Sequence, residues 1–97
     1  MALSVLVTGS TDGLGRRIAE LLVERGEVVL VHGRDRRKVE RTVRELGAER
    51  GYVANLAALA EVRRLAAEVR RDRDELDVLV NNAGVAGERG PSADGFS

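Results

Sequence analysis

The 97-residue sequence predicts an α/β fold, a doubly wound parallel sheet that is partial because the order βαβαβαβ accounts for the whole of its patterned length. Three observations predict it. Four short valine-rich runs alternate with three stretches of helical period, the connections between them are brief, and glycines, acids and amides gather at the ends of the runs. A chain of this length holds one small domain, taken as 1–97.

The first run, LSVLVT at 3–8, is apolar at consecutive positions rather than alternate ones, which suits a strand covered on both faces. Leu14, Ile18, Leu21 and Leu22 then fall at i, i+4, i+7 and i+8, one stripe of a helix that Gly26 ends. The second strand is EVVLVH at 27–32. Asp35 stands as a short acid before RRKVERTVREL, where Val39, Val43 and Leu46 face inward and Gly47 closes the helix. A brief third strand at 51–54 precedes Leu59, Val62, Leu65, Ala66 and Val69, a third apolar stripe with Arg and Glu opposite. The fourth strand is LDVLVN at 76–81. In a doubly wound sheet, with right-handed crossovers, these strands take the order 3-2-1-4. From Asn82 the chain loses its period and reads as a loop, with 93–97 as the start of a further helix. The domain is therefore expected to be truncated after the fourth strand and the loop that follows. That strand would present a valine-rich open edge, which predicts a homo-oligomer.

Composition removes whole classes of function. Sixteen basic and sixteen acidic residues cancel, so no bulk field recruits nucleic acid or an anionic membrane. The absence of cysteine excludes disulfides, thiol nucleophiles and thiolate metal sites. His32 is the only histidine, which excludes a multi-histidine metal site. No apolar run approaches the roughly 20 residues that cross a bilayer, and no secretory signal opens the chain. A soluble cytoplasmic protein is expected.

The glycines after the first strand carry the functional signal. Gly9 lets the chain turn out of the strand, Gly13 lets backbone approach a ligand, and Gly15 lets the next helix pack closely on the sheet. The helix that follows offers unpaired N–H groups and a positive dipole end, which suit a pyrophosphate. Ser10, Thr11 and Leu14 belong to the same cofactor-binding turn. It is not a P-loop, since Arg16 stands where a lysine would reach the terminal phosphates.

TGSTDGLG at 8–15 resembles the TGxxxGxG turn of the short-chain dehydrogenase/reductase family, and NNAG at 81–84 resembles its second motif. The two lie in the right order, roughly 70 residues apart. The resemblance covers the chain but only the amino-terminal part of a family member. It implies a Rossmann-type sheet, a nicotinamide cofactor, and hydride transfer to or from a small-molecule carbonyl or alcohol by the full-length protein. It also implies that Asn82, Ala83 and Gly84 line the ribose and nicotinamide side, while Asn81 ties neighbouring strands together.

Counting alone nominates Asp35, 20 residues after Gly15, as the acceptor for a ribose hydroxyl, and hence NAD. Its position before a helical pattern reads instead as an N-cap. NAD-preferring members of the resembled family place their acid where this chain has Gly33, and NADP-using members often carry an arginine one step later, matching Arg34. A guanidinium fork can pair with a 2′-phosphate, so the cofactor expected is NADP rather than NAD. At Asn55-Leu56 similar proteins carry an acid followed by Leu or Val, facing the adenine. Asn55 can still accept from an amino group, or it can cap the third helix.

No catalytic residue can be assigned. The family uses a tyrosine, a lysine four residues on and a serine. This chain has only Tyr52 and Lys38, with Leu at 56. The topology places none of Ser4, Ser10, Ser92 and Ser97 beside His32, and Asp72 and Asp74 read as an exposed helix end. The expected function is the NADP-binding portion of a short-chain oxidoreductase; the other reading is a non-catalytic dinucleotide-binding or assembly module.

Overall fold

A computed structural model describes residues 2–82. Ala83, Gly84 and the helix start expected at 93–97 lie outside the described residues. The elements are β1 (Ser4–Val7), α1 (Gly13–Glu24), β2 (Val28–Gly33), α2 (Arg36–Leu46), β3 (Arg50–Val53), α3 (Leu59–Asp72) and β4 (Val78–Val80). The four strands form one parallel sheet in the order β3-β2-β1-β4, as the alternation predicts. Val5 stands between Val29 and Val78, and His32 stands beside Tyr52.

Alternation within each strand divides the core between the two faces of the sheet. Val5, Val7, Val29 and Val31 pack with Ala19 of α1 and Val39 of α2. Leu6, Leu30 and Tyr52 point the other way, against Leu65 and Val69 of α3. The runs are apolar throughout because both faces are covered near the middle of the sheet.

Helix α1 is turned relative to the stripe its leucines predict. Leu14 and Leu21 are exposed, at 65 % and 42 %. The buried positions are Gly15 and Ala19, flanked by Ile18, Leu22 and Val23. The reason is proximity: small residues let the helix lie close to the strands, and a stripe read from large side chains passes them over. Asp35 does cap α2, accepting from the backbone N–H of Arg37 at 2.9 Å and Lys38 at 3.4 Å. Gly47 ends that helix in the left-handed region at φ 74°.

The end of α3 is not the solvated charge run that RRDRDE suggests. Asp72 accepts from the Tyr52 hydroxyl at 2.9 Å and lies 2.9 Å from Arg50 Nε, with only 16 % of its side chain exposed. This pair fastens the C-terminal turn of α3 to β3. The Tyr52 hydrogen bond, with neighbouring arginines, holds the Asp72 carboxyl below its usual range. Burial, then Asp72, pushes the Tyr52 hydroxyl up to about 12.

At the opposite edge β4 pairs only with β1 among the described residues, and Leu79 is 58 % exposed. Beside it a cavity of about 800 Å³ opens between α3 and the sheet, lined by Leu6, Leu56, Val62, Leu65, Leu76 and Leu79.

A protonated Tyr52 is favoured by folding, so its contribution is whole below pH 10 and is lost as pH rises from 10.0 to about 12. The only tyrosine in the chain makes this directly readable. Phenolate absorbance should develop near pH 12 in the folded protein, and Tyr52→Phe should flatten the alkaline decline of the urea midpoint. Ionisation at the ordinary value near 10 would count against the Tyr52–Asp72 fastening.

Candidate dinucleotide site

The sequence-selected residues meet at one end of the sheet, where all four parallel strands finish. The turn at Gly9–Gly15 follows β1, Arg34 follows β2, Asn55 follows β3, and Asn81 and Asn82 follow β4. Chain order reverses direction here, with β2 on one side of β1 and β4 on the other, which opens a crevice over the strand ends.

Gly9 leaves β1 with φ +61°, a conformation that favours glycine. Its peptide is held on both sides. The Gly9 N–H donates to His32 Nδ1 at 3.0 Å, and its carbonyl accepts from Asn82 Nδ2 at 3.1 Å. Ser10 is fully buried, its N–H donating to the His32 carbonyl at 2.8 Å and its Oγ accepting from the His32 N–H at 2.9 Å. A Cβ on Gly15 would run into the Gly9 carbonyl oxygen and come within 2.5 Å of Asn82 Nδ2. The turn can sit on the helix only because that atom is missing.

Gly13 opens α1 with φ +56° and open space where a Cβ would be. Asp12 takes the N-cap position without a side-chain cap bond, its carboxylate lying 3.2 Å from Lys38 Nζ instead. No acid occupies the first turn of α1. Its leading N–H groups are therefore left for an anion, in contrast to α2, whose N-terminus Asp35 fills.

Arg34 is exposed and makes no hydrogen bond or ion pair among the described residues. Beside it, a Cβ on Gly33 would lie 2.7 Å from Thr11 Cγ2 and 3.1 Å from Val39 Cγ2. Asn55 does not cap α3, which starts at Leu59 with Ala58 in the cap position. Its Oδ1 accepts from the Ala57 N–H at 3.0 Å, closing a local turn ahead of the helix. Leu56 is half-buried against the α3 side of the core, and Leu14 is exposed at the outer side of α1. Asn81 accepts from Thr8 Oγ1 at 3.4 Å and so joins β4 to β1.

One expectation is overturned: Ser10 and His32 are neighbours, because the turn folds back onto the end of β2. They do not form a nucleophile and base. Both imidazole nitrogens face backbone, Nδ1 toward the Gly9 N–H and Nε2 toward the Ala54 carbonyl at 2.9 Å. Burial lowers the His32 pKa from its ordinary value, and the Ala54 carbonyl opposes that in part. Sequence reasoning passed over His32 and the Thr11–Gly33 contact. The one available signal was a lone imidazole ending a buried, otherwise aliphatic strand. Among the described residues no cluster of acids and histidine could hold a metal, and no helix is long and apolar enough to cross a membrane.

Residues 4–95 match the short chain dehydrogenase family. The chain belongs to that family. Among its curated relatives, nodulation protein G of Rhizobium sp. (strain N33) is 40 % identical over 81 residues, covering 82 % of this chain and 33 % of the relative. The 3-oxoacyl-acyl-carrier-protein reductase FabG of Haemophilus influenzae is 37 % identical over 81 residues, covering 82 % and 34 %. Among solved structures, the Pseudomonas aeruginosa RhlG/NADP active-site complex superposes with a TM-score of 0.80 at 35 % identity, over 84 % of this chain and 35 % of that one. An actinorhodin polyketide ketoreductase with NADPH gives 0.76 at 35 % identity, over 84 % and 33 %. This short-chain dehydrogenase sequence thus spans about a third of the length of the relatives it matches, in their amino-terminal, NAD(P)-binding part.

Gly15→Ala should destabilise the fold by about 1–3 kcal/mol, because the new methyl must displace the Gly9 carbonyl or the Asn82 amide. Urea unfolding measures this, and an unchanged midpoint would contradict the close packing of turn and helix.

Proposed function

We propose that this chain is the NADP-binding portion of a short-chain oxidoreductase that transfers hydride between the nicotinamide and a carbonyl or secondary alcohol. One observation carries the choice of cofactor: Arg34, without a hydrogen bond or ion pair among the described residues, stands beside a Gly33 whose Cβ position Thr11 and Val39 already crowd. An acid at that position, as an NAD site would use, has no room without moving Thr11.

The residues fit a dinucleotide. The open N–H groups of α1 bind the pyrophosphate, and the missing Cβ of Gly13, which faces open space, lets it approach. Arg34 pairs its planar fork with the 2′-phosphate. Asn55 Oδ1 keeps a second lone pair for the adenine amino group beside its bond to Ala57. Asn82, buried with its amide donating to the Gly9 carbonyl, sets the height of the turn. When bound, the nicotinamide supplies or accepts the hydride. Names among the relatives, a 3-oxoacyl reductase and a polyketide ketoreductase, support a carbonyl substrate for the longer protein.

A second reading, a non-catalytic dinucleotide-binding module, is favoured by Tyr52. The only tyrosine in the chain is buried at 3 % exposure and committed to Asp72, so it cannot act as an acid or base at the strand ends. Both readings require NADP to bind.

Fluorescence titration with NADPH and NADH tests this. NADPH should bind about tenfold more tightly than NADH, and Arg34→Ala should remove that preference while leaving NADH affinity in place. Equal affinities in the unaltered chain would overturn the assignment of Arg34.

A further inference from the structure

His32 is a buried side chain, 2 % exposed, at the C-terminal end of β2, and the cofactor contacts proposed above make no use of it. Its two partners define its state. The Gly9 N–H can only donate, so Nδ1 must carry a lone pair; the Ala54 carbonyl can only accept, so Nε2 must carry the proton. The ring is therefore neutral, in the Nε2–H tautomer. A second proton on Nδ1 would face the Gly9 N–H head-on, and one of the two would have to leave.

Gly9 is the residue through which this matters. Its N–H is held by His32 and its carbonyl by Asn82, so the imidazole is half of what fixes the plane of the turn. Through Ala54 the same ring reaches the exit of β3, one residue before Asn55. A single side chain thus joins the segment after β1 to the segment after β3, across β2.

We infer that His32 is a positioning residue that locks the turn through Gly9, so that turn geometry and dinucleotide affinity are lost together when the imidazole takes up a proton. The affinity half of this inference rests on the proposed function; the turn half stands on the structure alone.

The titratable and charged groups on the surrounding elements do not compete for this role. From the turn and α1, Asp12 pairs with Lys38 of α2 and Arg16 with Glu45. Beyond β2, Asp35 caps α2 and Arg34 is exposed. On β3, Arg50 and Tyr52 are engaged by Asp72. On α3, Glu61 pairs with Arg64, which also meets Glu68. None of these charges contributes to the lowering of the His32 pKa, which comes from burial. The sign follows: the neutral ring is favoured in the fold, so the contribution is whole above the ordinary value of 6.5. It is lost as pH falls below 6.5 and through the folded-state value.

The test uses the 97-residue chain, whose single histidine gives one pair of ring-nitrogen signals in a nitrogen-15 spectrum. At neutral pH that pair should report the Nε2–H tautomer, and the Gly9 amide should be protected from hydrogen exchange. As the imidazole titrates below 6.5, Gly9 protection and the calorimetric affinity for NADP should fall over the same range. At neutral pH His32→Leu, which leaves the Gly9 N–H without an acceptor, should deprotect Gly9 and weaken NADP about tenfold or more. His32→Asn keeps an acceptor near the Nδ1 position and should hold affinity within about threefold, without the histidine-linked part of the pH dependence. Equal losses in the two variants, the opposite tautomer, or a Gly9 amide indifferent to the ring would overturn the inference. Failure of the unaltered chain to bind NADP at any pH, with Gly9 protection still following the imidazole, would uphold the lock and remove the cofactor reading instead.

Discussion

Gly9 is gripped from two strands at once, its N–H by His32 at the end of β2 and its carbonyl by Asn82 beyond β4. Everything at the strand ends depends on that peptide staying where it is. It sets how far the turn stands off the sheet, and the absent Cβ of Gly15 lets α1 come down against it. The direction of α1, and hence of its open N–H groups, follows from the same contact. A hydrogen-bonded backbone group with no freedom to rotate is a better platform for an anion than a loop that must be ordered on binding. The turn is fixed by contacts within the chain itself.

Its electrostatics are arranged by omission as much as by placement. Helix α2 begins with an acid that closes its N-terminus, whereas α1 begins with an acid turned aside to Lys38. The two helices start at the same end of the sheet, yet only one offers its N–H groups. Arg34 follows β2 just before the α2 cap, next to Gly33, whose Cβ position Thr11 and Val39 crowd.

Much of this was legible in the chain because strand and turn chemistry act over short distances. The valine runs, the Asp35 cap and the glycine turn each announce themselves within a few residues, and the sheet order is that of a doubly wound fold. What was hidden depends on contacts between distant segments. The face of α1 was misread because Gly15 and Ala19 are small, and their importance lies in what approaches them. Asp72 looked like one charge in a run until β3 brought Tyr52 and Arg50 to it. Asn55 has the composition of a cap, but its amide closes a tighter turn before the helix begins. His32 and Ser10 are 22 residues apart in sequence and touch only because Gly9 turns the chain back.

A dinucleotide is proposed to bind at the strand ends, and not in the apolar cavity beside Leu79. Mapping backbone amide shifts of the 97-residue chain during titration with NADP tests it most directly. The largest changes should fall on Gly9, Gly13, Leu14, Gly15 and Arg34, with smaller ones at Asn55 and Asn82. Changes centred on Val62, Leu65 and Leu79 instead, or none at saturating NADP, would contradict it.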